Sequence, residues 1–264
     1  MSICVRSLSV GYGHQKVLEN VSFTVDDSCV LGVLGANGSG KTTLLKALCG
    51  ILPHEGTCTL DGVPLEPLSA RRLAALVGYI PQRSGIAIDI AALDVVLMGF
   101  NPQLGLLERP TAAMKAAASA ALEQVGLAGK EQVNYLHLSE GQKQLCILAR
   151  TLVTNSRLLL LDEPESALDF QFRHRLLALL RGWAAEGDGR CAAVALHDPN
   201  LALNACDRLL LLADGGVSAA ITPATDPTDV MEQALGVLYG SVCLRRCETH
   251  AGRRQLVMLK EDTL

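Results

Sequence analysis

The chain has 264 residues, of which 49% are hydrophobic and 19% charged, and its formal net charge is −4 with a pI near 5.9. These numbers allow one large hydrophobic core and exclude disorder as a description of the whole chain. The acidic balance argues against binding to the phosphate backbone of DNA or RNA, so we expect no nucleic-acid partner.

Two further classes of protein are disfavoured. The N-terminal stretch MSICVRSLSV lacks the basic and apolar regions of a secretory signal, and no apolar run is long enough to span a membrane. The nine cysteines are odd in number and lie mostly inside apolar runs, which indicates reduced core thiols of a cytosolic protein. Cys243, Cys247 and His250 lie close in sequence, but without a C-x-x-C pair we expect no zinc site there.

The first elements place a glycine-rich loop between a strand and a helix. Short β-like runs at residues 3–10 and 21–25, joined by the turn GYGHQK, predict an antiparallel sheet. An apolar run at 30–34 then leads into GANGSGKT, and helical residues follow at 42–48. Strand, loop and helix in this order are the expected context of a phosphate-binding loop.

The loop fits G-x-x-x-x-G-K-[ST] in full. Its glycines let backbone N–H groups turn toward phosphate oxygens, and the helix start adds its positive dipole end. Lys41 is expected to reach the β- and γ-phosphates, and the Thr42 hydroxyl to ligate Mg²⁺. The predicted ATP-binding residues of this segment are Gly35, Ala36, Asn37, Gly38, Ser39, Gly40, Lys41, Thr42 and Thr43.

The middle of the chain predicts a hairpin, a break and a helical insertion. A β-like pair surrounds Asp61-Gly62, helix signals begin near Ser69, and Pro81-Gln82 ends the run at 77–80. Residues 84–137 are rich in Ala, Leu and Met, and we interpret them as an inserted helical subdomain. The helix that follows opens at LSEGQ, where Ser139 and Gln142 also have the spacing of a helix capping box.

Four consecutive leucines, residues 158–161, come directly before Asp162 and Glu163. Such a strand is buried on both faces, and ligands bind beyond the carboxyl ends of strands of this kind. Asp162 is expected to hold Mg²⁺, and Glu163 to polarise the attacking water. Two buried carboxylates need compensation, which a magnesium ion beside Lys41 supplies.

Strands and helices alternate in the remaining sequence, which predicts a mostly parallel sheet with helices on both faces. A helix is expected near 172–183 and a strand at 192–196. Beyond Asp214-Gly215 the pattern predicts a hairpin, a short helix near 231–238 and a terminal strand pair. We interpret residues 1–264 as one domain, with 215–264 as a C-terminal extension.

Further motifs occur in a fixed order around the phosphate loop and the leucine strand: Tyr12 in GYG, Gln82 in YIPQ, LSEGQKQLCILARTL, SALD at 166–169, and His197 in ALHDPN. With these motifs the chain resembles the ATP-binding-cassette (ABC) ATPases over nearly its whole length. The resemblance implies a P-loop α/β fold that combines a mostly parallel sheet core, an N-terminal antiparallel β subdomain and an inserted helical subdomain.

The resemblance also implies a role for each motif, with ATP and Mg²⁺ as cofactors. Glu163, His197 and Gln82 are the expected catalytic residues; Thr42, Gln82 and Asp162 are the expected Mg²⁺ ligands; and Tyr12 is expected to stack on adenine. The signature residues are expected to grip the ATP bound to a facing subunit, toward which Asp169 of the D-loop also reaches. Those signature residues are Ser139, Glu140, Gly141 and Gln142.

Because the chain holds one cassette, the resemblance implies a head-to-tail dimer with a second copy. The segments GYIPQ, DVVLMGFNPQLG and HDPNLALNACDRLLLL are similar to the corresponding segments in cassettes of iron–siderophore, haem and cobalamin importers. These act at the cytoplasmic face of the membrane as peripheral subunits, with polytopic permease subunits and, indirectly, a substrate-binding protein. The alternatives are an importer of an oxyanion such as molybdate, and a soluble ABC ATPase for cofactor assembly or nucleic-acid metabolism.

Two positions depart from the family pattern. Glu140 stands where Gly is usual, so its carboxylate either repels a phosphate brought to the signature or points away from it. Glu165 stands where Thr is usual, and we expect it to add a carboxylate near the dimer seam.

Overall fold

The computed structural model describes residues 2–26, 28–82, 85–105, 107–166, 168–186 and 189–261. The strands are β1 Ser2–Tyr12, β2 Gln15–Asp26, β3 Cys29–Gly35, β4 His54–Leu60, β5 Val63–Pro64, β6 Val77–Ile80, β7 Leu158–Asp162, β8 Cys191–Ala195, β9 Arg208–Ala213, β10 Gly216–Ile221, β11 Val242–Glu248 and β12 Arg254–Lys260. The helices are α1 Lys41–Leu48, α2 Ala70–Leu76, α3 Ala92–Leu97, α4 Ala112–Gln124, α5 Glu140–Leu152, α6 Phe170–Ala185, α7 Pro199–Ala205 and α8 Thr228–Tyr239.

Three sheets organise these elements. The central sheet has the order β10-β9-β3-β8-β7-β6, in which only the β9–β10 pair is antiparallel. An N-terminal antiparallel sheet has the order β2-β1-β4-β5, and β11 and β12 form a terminal hairpin. The predicted mostly parallel core and antiparallel N-terminal sheet are therefore confirmed.

The β7 strand joins two hydrophobic cores, which explains its unbroken leucine run. Leu159 and Leu161 pack into a cluster with the helices of the insertion and with α6 and α7. Leu158 and Leu160 pack on the other face, with α1 and the N-terminal sheet. All four side chains are fully buried. Truncating one of them to Ala costs about 2–5 kcal/mol, so the end of β7 is a rigid place from which to present carboxylates.

The helical insertion packs as a compact group beside the sheet. Helices α3 and α4 of the insertion contact each other and α5, which follows it, and Tyr135 is buried in the same hydrophobic cluster. A short antiparallel bridge joins Ala91 to Asn134, the residue before Tyr135. The first residue of the predicted insertion, Ser84, lies outside the described residues, so the boundary at 84–137 stays a prediction. Residues 262–264 of the predicted extension 215–264 also lie outside them.

The terminal hairpin is fastened to the core by α7. Asn204 donates from Nδ2 to the carbonyl of Leu256 over 2.7 Å, and its Oδ1 accepts the N–H of Leu256 at 2.8 Å. Asn200 Oδ1 accepts the N–H of Met258 at 2.7 Å. Among the described helices, none combines the length and apolar character needed to cross a membrane.

The cysteines differ from the prediction of core thiols at several positions. None of the nine forms a disulfide, and the thiols of Cys29 and Cys191 face each other at a hydrogen-bonding sulfur–sulfur distance of 3.7 Å. Five are buried, but Cys247 is exposed and Cys4, Cys49 and Cys243 are half-buried. Cys4, Cys243 and Cys247 lie on antiparallel strands, which can leave one face in solvent, and Cys49 is the C-cap of α1, so apolar neighbours in sequence did not predict burial at these four positions.

Candidate active site

The glycine-rich loop folds so that only glycine fits its last turn before α1. Gly40 has a φ of 99°, and a Cβ there would lie 2.6 Å from Leu18 Cδ2. Lys41 is 5% exposed, and its Nζ donates to the carbonyls of Gly35 at 2.8 Å and Ala36 at 3.3 Å. The lysine is thus folded onto its own loop, with its charge held at the start of the helix.

The electrostatic setting of Lys41 has two opposing parts. Burial lowers the pKa of its ammonium, while the carboxylates of Glu163, Asp162 and Glu165 act in the opposite direction. Three carboxylates around one buried cation leave an excess of negative charge. A further cation or several hydrogen-bond donors are needed to balance it.

Thr42 and Asp162 form a pair of oxygen ligands at the end of β7. The Thr42 hydroxyl donates to Asp162 Oδ1 at 2.8 Å, and the Tyr79 hydroxyl lies 3.4 Å from Oδ2. Burial raises the pKa of Asp162, and the Thr42 hydrogen bond opposes that shift. A hydroxyl beside a carboxylate is the hard-oxygen donor set that Mg²⁺ prefers, so the residues present fit this ion.

Glu163 is held at both carboxylate oxygens. Gln82 Nε2 donates to Oε2 at 2.7 Å, and His197 Nε2 lies 2.6 Å from Oε1. The Glu163 backbone has a φ of 51°, and its N–H donates to the carbonyl of Ala195 at 3.2 Å. The structure therefore brings the three predicted catalytic residues into one contact group, with Glu163 at its centre.

Glu165 is buried within the chain. Its side chain is 3% exposed, and Oε1 accepts the backbone N–H of His197 at 3.1 Å. Oε2 has no hydrogen-bond partner among the described residues, and burial raises the pKa of the carboxyl. The chain turns inward after Glu163, which places Glu165 beneath the histidine loop, and its closeness to a dimer seam stays a prediction.

A cleft of about 310 Å³ lies over the phosphate loop. It is lined by Tyr12, Val17, residues 37–43 and Glu163. Tyr12 is 49% exposed at its edge, where a planar ring has room to stack. The molecule has larger cavities, of about 610 and 600 Å³, but neither contains Lys41, Asp162 or Glu163. Chemistry rather than volume identifies the 310 Å³ cleft as the candidate site.

The signature residues do not line that cleft. Ser139 is the N-cap of α5, and with Gln142 it forms a capping box in which both reciprocal hydrogen bonds are present. Glu140 is 76% exposed and pairs with Lys143 Nζ at 2.7 Å. LSEGQ can therefore serve both as a helix capping box and as the predicted signature, since the capping box leaves the Gly141 backbone on the helix surface.

Asp169 caps α6 in the same way, because its Oδ1 accepts the N–H of Phe172 at 3.0 Å. Ala167, inside the predicted D-loop, lies outside the described residues. The expected action of Asp169 and of residues 139–142 on a facing subunit stays a prediction.

Sequence reasoning missed two contacts of the site. Tyr79 approaches Asp162 from the neighbouring strand β6, and Glu165 supports the His197 backbone. The parallel pairing of β6 with β7 is the signal from which the Tyr79 contact follows. No local sequence signal marks the Glu165 contact, which joins residues 32 positions apart.

Comparisons with known proteins agree with this geometry. The model of the ABC transporter family matches residues 18–166. Proteins named hemin import ATP-binding protein HmuV are 40% identical over 244 residues in Deinococcus radiodurans, covering 90% of both chains, and 38% identical over 247 residues in Bordetella pertussis, covering 90% of this chain and 93% of that one. An inward-facing ABC transporter described as metal-chelate type superposes with a TM-score of 0.81 at 25% identity, over 98% of both chains.

Proposed function

Because this chain belongs to the ABC transporter family and is an ATPase that hydrolyses ATP for transport, we propose that its transporter takes up haem or another iron chelate. One observation carries the ATPase role: Glu163 is held between Gln82 and His197, next to the Thr42–Asp162 pair. The cargo class follows from the hemin import proteins, which match along 90% of this chain, and from the metal-chelate transporter.

We propose the following roles for the site residues in hydrolysis. The loop N–H groups and Lys41 bind the phosphates, and Tyr12 stacks on the adenine. Thr42 and Asp162 hold Mg²⁺, with Gln82 as a further ligand once it leaves Glu163. When bound, the ion neutralises charge on the phosphate oxygens.

Glu163 accepts a proton from the attacking water as the water oxygen bonds to the γ-phosphorus and the bond to the bridging oxygen breaks. His197 Nε2 holds Oε1 of Glu163 at 2.6 Å. The backbone of His197 is itself fixed by Glu165, so the imidazole reaches Glu163 from a supported position. Proton acceptance by Glu163 then requires one of these two contacts, to Gln82 or to His197, to yield an oxygen lone pair to the water.

A head-to-tail homodimer completes the proposed site. The cleft lacks any contribution from residues 139–142, which a second copy supplies in this arrangement. Two apolar side chains next to these elements are open to solvent: Leu136 is 39% exposed before Ser139, and Phe170 is 76% exposed after Asp169. Exposed apolar groups beside the signature and the D-loop are the surface that such a dimer would cover.

A groove of about 320 Å³ between α2, β6 and the helical insertion is the proposed docking place for a polytopic permease subunit. Tyr79, Met98 and Arg150 are among its lining residues. Gln82 follows β6 by two residues, so a helix seated in the groove acts on the strand that leads to Gln82 and Glu163. The chain would then lie at the cytoplasmic face of the membrane, and a substrate-binding protein would deliver cargo to the permease on the opposite side.

The test is assembly followed by transport. We expect the chain to co-purify with the polytopic membrane protein encoded beside its gene, and the reconstituted complex to take up haem or a ferric siderophore when ATP is present on the cassette side. Uptake of molybdate without haem, siderophore or cobalamin uptake would refute the cargo class. An ATPase that ignores the permease and responds to DNA would refute the importer and support the soluble alternative.

A further inference from the structure

The β4 strand brings together two side chains that a regular strand would keep apart. His54 and Cys58 are four residues apart, which corresponds to about 13 Å along a regular strand. Their nearest side-chain atoms, Nε2 and Sγ, are instead 4.0 Å apart. Gly56 lies between them with a φ of 90°, and a Cβ there would meet the Ser7 carbonyl oxygen at 2.5 Å. The bend at this glycine turns the two side chains toward each other.

Glu66 adds a third group from the segment after β5. Its Oε1 lies 4.0 Å from His54 Nε2, and the same oxygen accepts the N–H of Cys58. The three potential ligand atoms all lie within 4.8 Å of one another. In the part of the chain that the structure describes, this is the only such cluster of His, Cys, Asp and Glu ligand atoms.

The hydrogen bond on the far side of His54 fixes how the ring faces the cluster. His54 Nδ1 lies 3.3 Å from the carbonyl oxygen of Glu55. Because a carbonyl only accepts hydrogen bonds, Nδ1 carries the hydrogen, and the Nε2 lone pair is directed toward Cys58 and Glu66. Metal-binding histidines are oriented by this kind of backbone contact. The imidazole is also largely shielded, since its side chain is 8% exposed.

The spacing is close to that of a bound ion. Tetrahedral bonds of ordinary length to zinc place nitrogen and sulfur about 3.6 Å apart, and nitrogen and oxygen about 3.3 Å apart. The two distances of 4.0 Å therefore need to shorten by less than about 1 Å. The separation of Cys58 Sγ from Glu66 Oε1, which is within 4.8 Å, needs to shorten by at most about 1.2 Å. A cavity of about 600 Å³, lined by His54, Glu66 and Cys49, leads to the cluster and leaves room for a water ligand.

We propose that His54 Nε2, Cys58 Sγ and Glu66 Oε1 bind a transition-metal dication of the zinc class, with water in the fourth position. A thiolate and a carboxylate balance its two charges, and mixed N, S and O ligands suit zinc or cobalt rather than magnesium. The Cys58 thiol has its pKa raised to about 12 by burial and by Glu66. Binding at neutral pH therefore releases the thiol proton to solvent.

The position of this cluster indicates which part of the fold a bound metal ion would affect. The residues after α1, Cys49 to Ile51, line the same cavity, while the first turn of α1 carries Lys41 and Thr42. A bound ion ties β4 to the segment after β5 against this end of α1. We therefore expect the ion to stabilise the N-terminal sheet without being part of the Mg²⁺ site.

The experiment uses the full chain, treated with EDTA, desalted and free of nucleotide, with Co²⁺ as the spectroscopic probe. We expect one Co²⁺ per chain, a thiolate-to-cobalt charge-transfer band in the near ultraviolet and tetrahedral bands in the visible. Zn²⁺ should displace Co²⁺ and raise the Tm. Oxygen ligands alone give no sulfur charge-transfer band, so the signal distinguishes this site from Thr42 and Asp162.

Matched variants localise the signal. Glu66→Gln and Cys58→Ser should bind Zn²⁺ at least about 100-fold more weakly, since even the loss of a group that only hydrogen-bonds to a metal ligand reaches that range. Cys247→Ser, at an exposed thiol, and Glu55→Gln should bind as the parent does. Cys58 is buried, so Glu66→Gln carries the test if Cys58→Ser does not fold. No charge-transfer band in the parent, a band that survives Cys58→Ser, or one lost in Cys247→Ser overturns the proposal.

Discussion

Glu163 has an uncommon backbone conformation, and both oxygens of its carboxylate have a partner. Its φ of 51° lies in the left-handed region, which costs a non-glycine residue on the order of 1–3 kcal/mol. The strain is held by the bond from its N–H to Ala195 and by Gln82 and His197 on the carboxylate. A residue fixed at this many points loses little entropy when it receives a proton, which suits a general base.

We expect Glu163→Gln to reduce ATP hydrolysis by about 10²–10⁴-fold, because the amide keeps the shape but cannot accept the proton. Nucleotide binding should persist, so an ATP-dependent dimer should accumulate in size-exclusion chromatography with light scattering. Glu186→Gln, at an exposed position, is the matched control. ATP hydrolysis at the parent rate in Glu163→Gln would show that Glu163 is not the general base.

We expect Glu165→Gln to stabilise the fold at neutral pH. Burial raises the folded-state pKa of Glu165, so its favourable contribution is present below the unfolded value of 4.5 and is lost as pH rises through the folded-state pKa. Glutamine keeps the oxygen that accepts the His197 N–H and carries no charge. The Tm of the variant should therefore exceed that of the parent by an amount that grows from about pH 5 to about pH 8. Each kcal/mol of added unfolding free energy should raise the Tm by about 2–4 °C. An advantage that shrinks over this range contradicts the assignment.

We expect Glu140→Gly to leave ATP hydrolysis within about threefold of the parent, because Lys143 already offsets a charge whose exposed ion pair is worth at most about 1 kcal/mol. Glycine in the first turn should lower stability slightly, by up to about 1 kcal/mol. Steady-state ATPase rates and urea unfolding measure the two effects. A clear rise in ATPase activity would instead show that the carboxylate repels phosphate at the signature.

At the scale of the elements, helix starts serve both the fold and the predicted dimer. Ser139 and Asp169 cap α5 and α6, and they are also the residues expected to act on a facing subunit. Replacing a cap by alanine costs about 1 kcal/mol whatever its other roles. An alanine variant alone therefore cannot separate a structural role from a catalytic one.

A pair of variants at Asp169 makes that separation. Asparagine caps a helix about as well as aspartate, so Asp169→Asn should keep the unfolding free energy while Asp169→Ala loses about 1 kcal/mol. If Asp169 also acts across the dimer, both variants should lose ATPase activity to a similar extent. Parent-like activity in Asp169→Asn would leave only the capping role.

How far sequence predicts each element depends on how local its cause is. The β7 strand and the loop before α1 were predictable because their patterns lie within single stretches of the chain, and the family assignment implied by the ordered motifs is confirmed. The burial of Glu165 and the approach of His54 to Cys58 were not, since the first depends on a distant loop and the second on a bend at Gly56. Periodicity reports which face of an element is apolar, but not which distant groups meet there.

At the scale of the whole molecule, the proposed permease groove and the nucleotide cleft share no lining residue. Tyr79 lines the groove and also reaches Asp162 at 3.4 Å. One residue of β6 thus contacts both the groove and Asp162, the predicted Mg²⁺ ligand. If the permease occupies the proposed groove, a displacement of β6 would be the shortest route from the permease to Asp162.

We expect Met98→Glu, which places a charge in the groove, to reduce permease assembly at least tenfold while the isolated chain keeps its ATPase activity. A charge buried against an apolar partner is costly, whereas the nucleotide site does not include Met98. Pull-down with the permease and ATPase assays measure the two effects. Val237→Glu, on the exposed side of α8, is the control; equal assembly of both variants would exclude this groove.

The attachment of the terminal hairpin by Asn200 and Asn204 has a mechanical consequence. The helix that carries both asparagines begins at Pro199, two residues after His197, so the histidine, the helix and the hairpin are linked in series. Because the two asparagines join α7 to the backbone of β12, a displacement of His197 that moves α7 would also move the terminal hairpin.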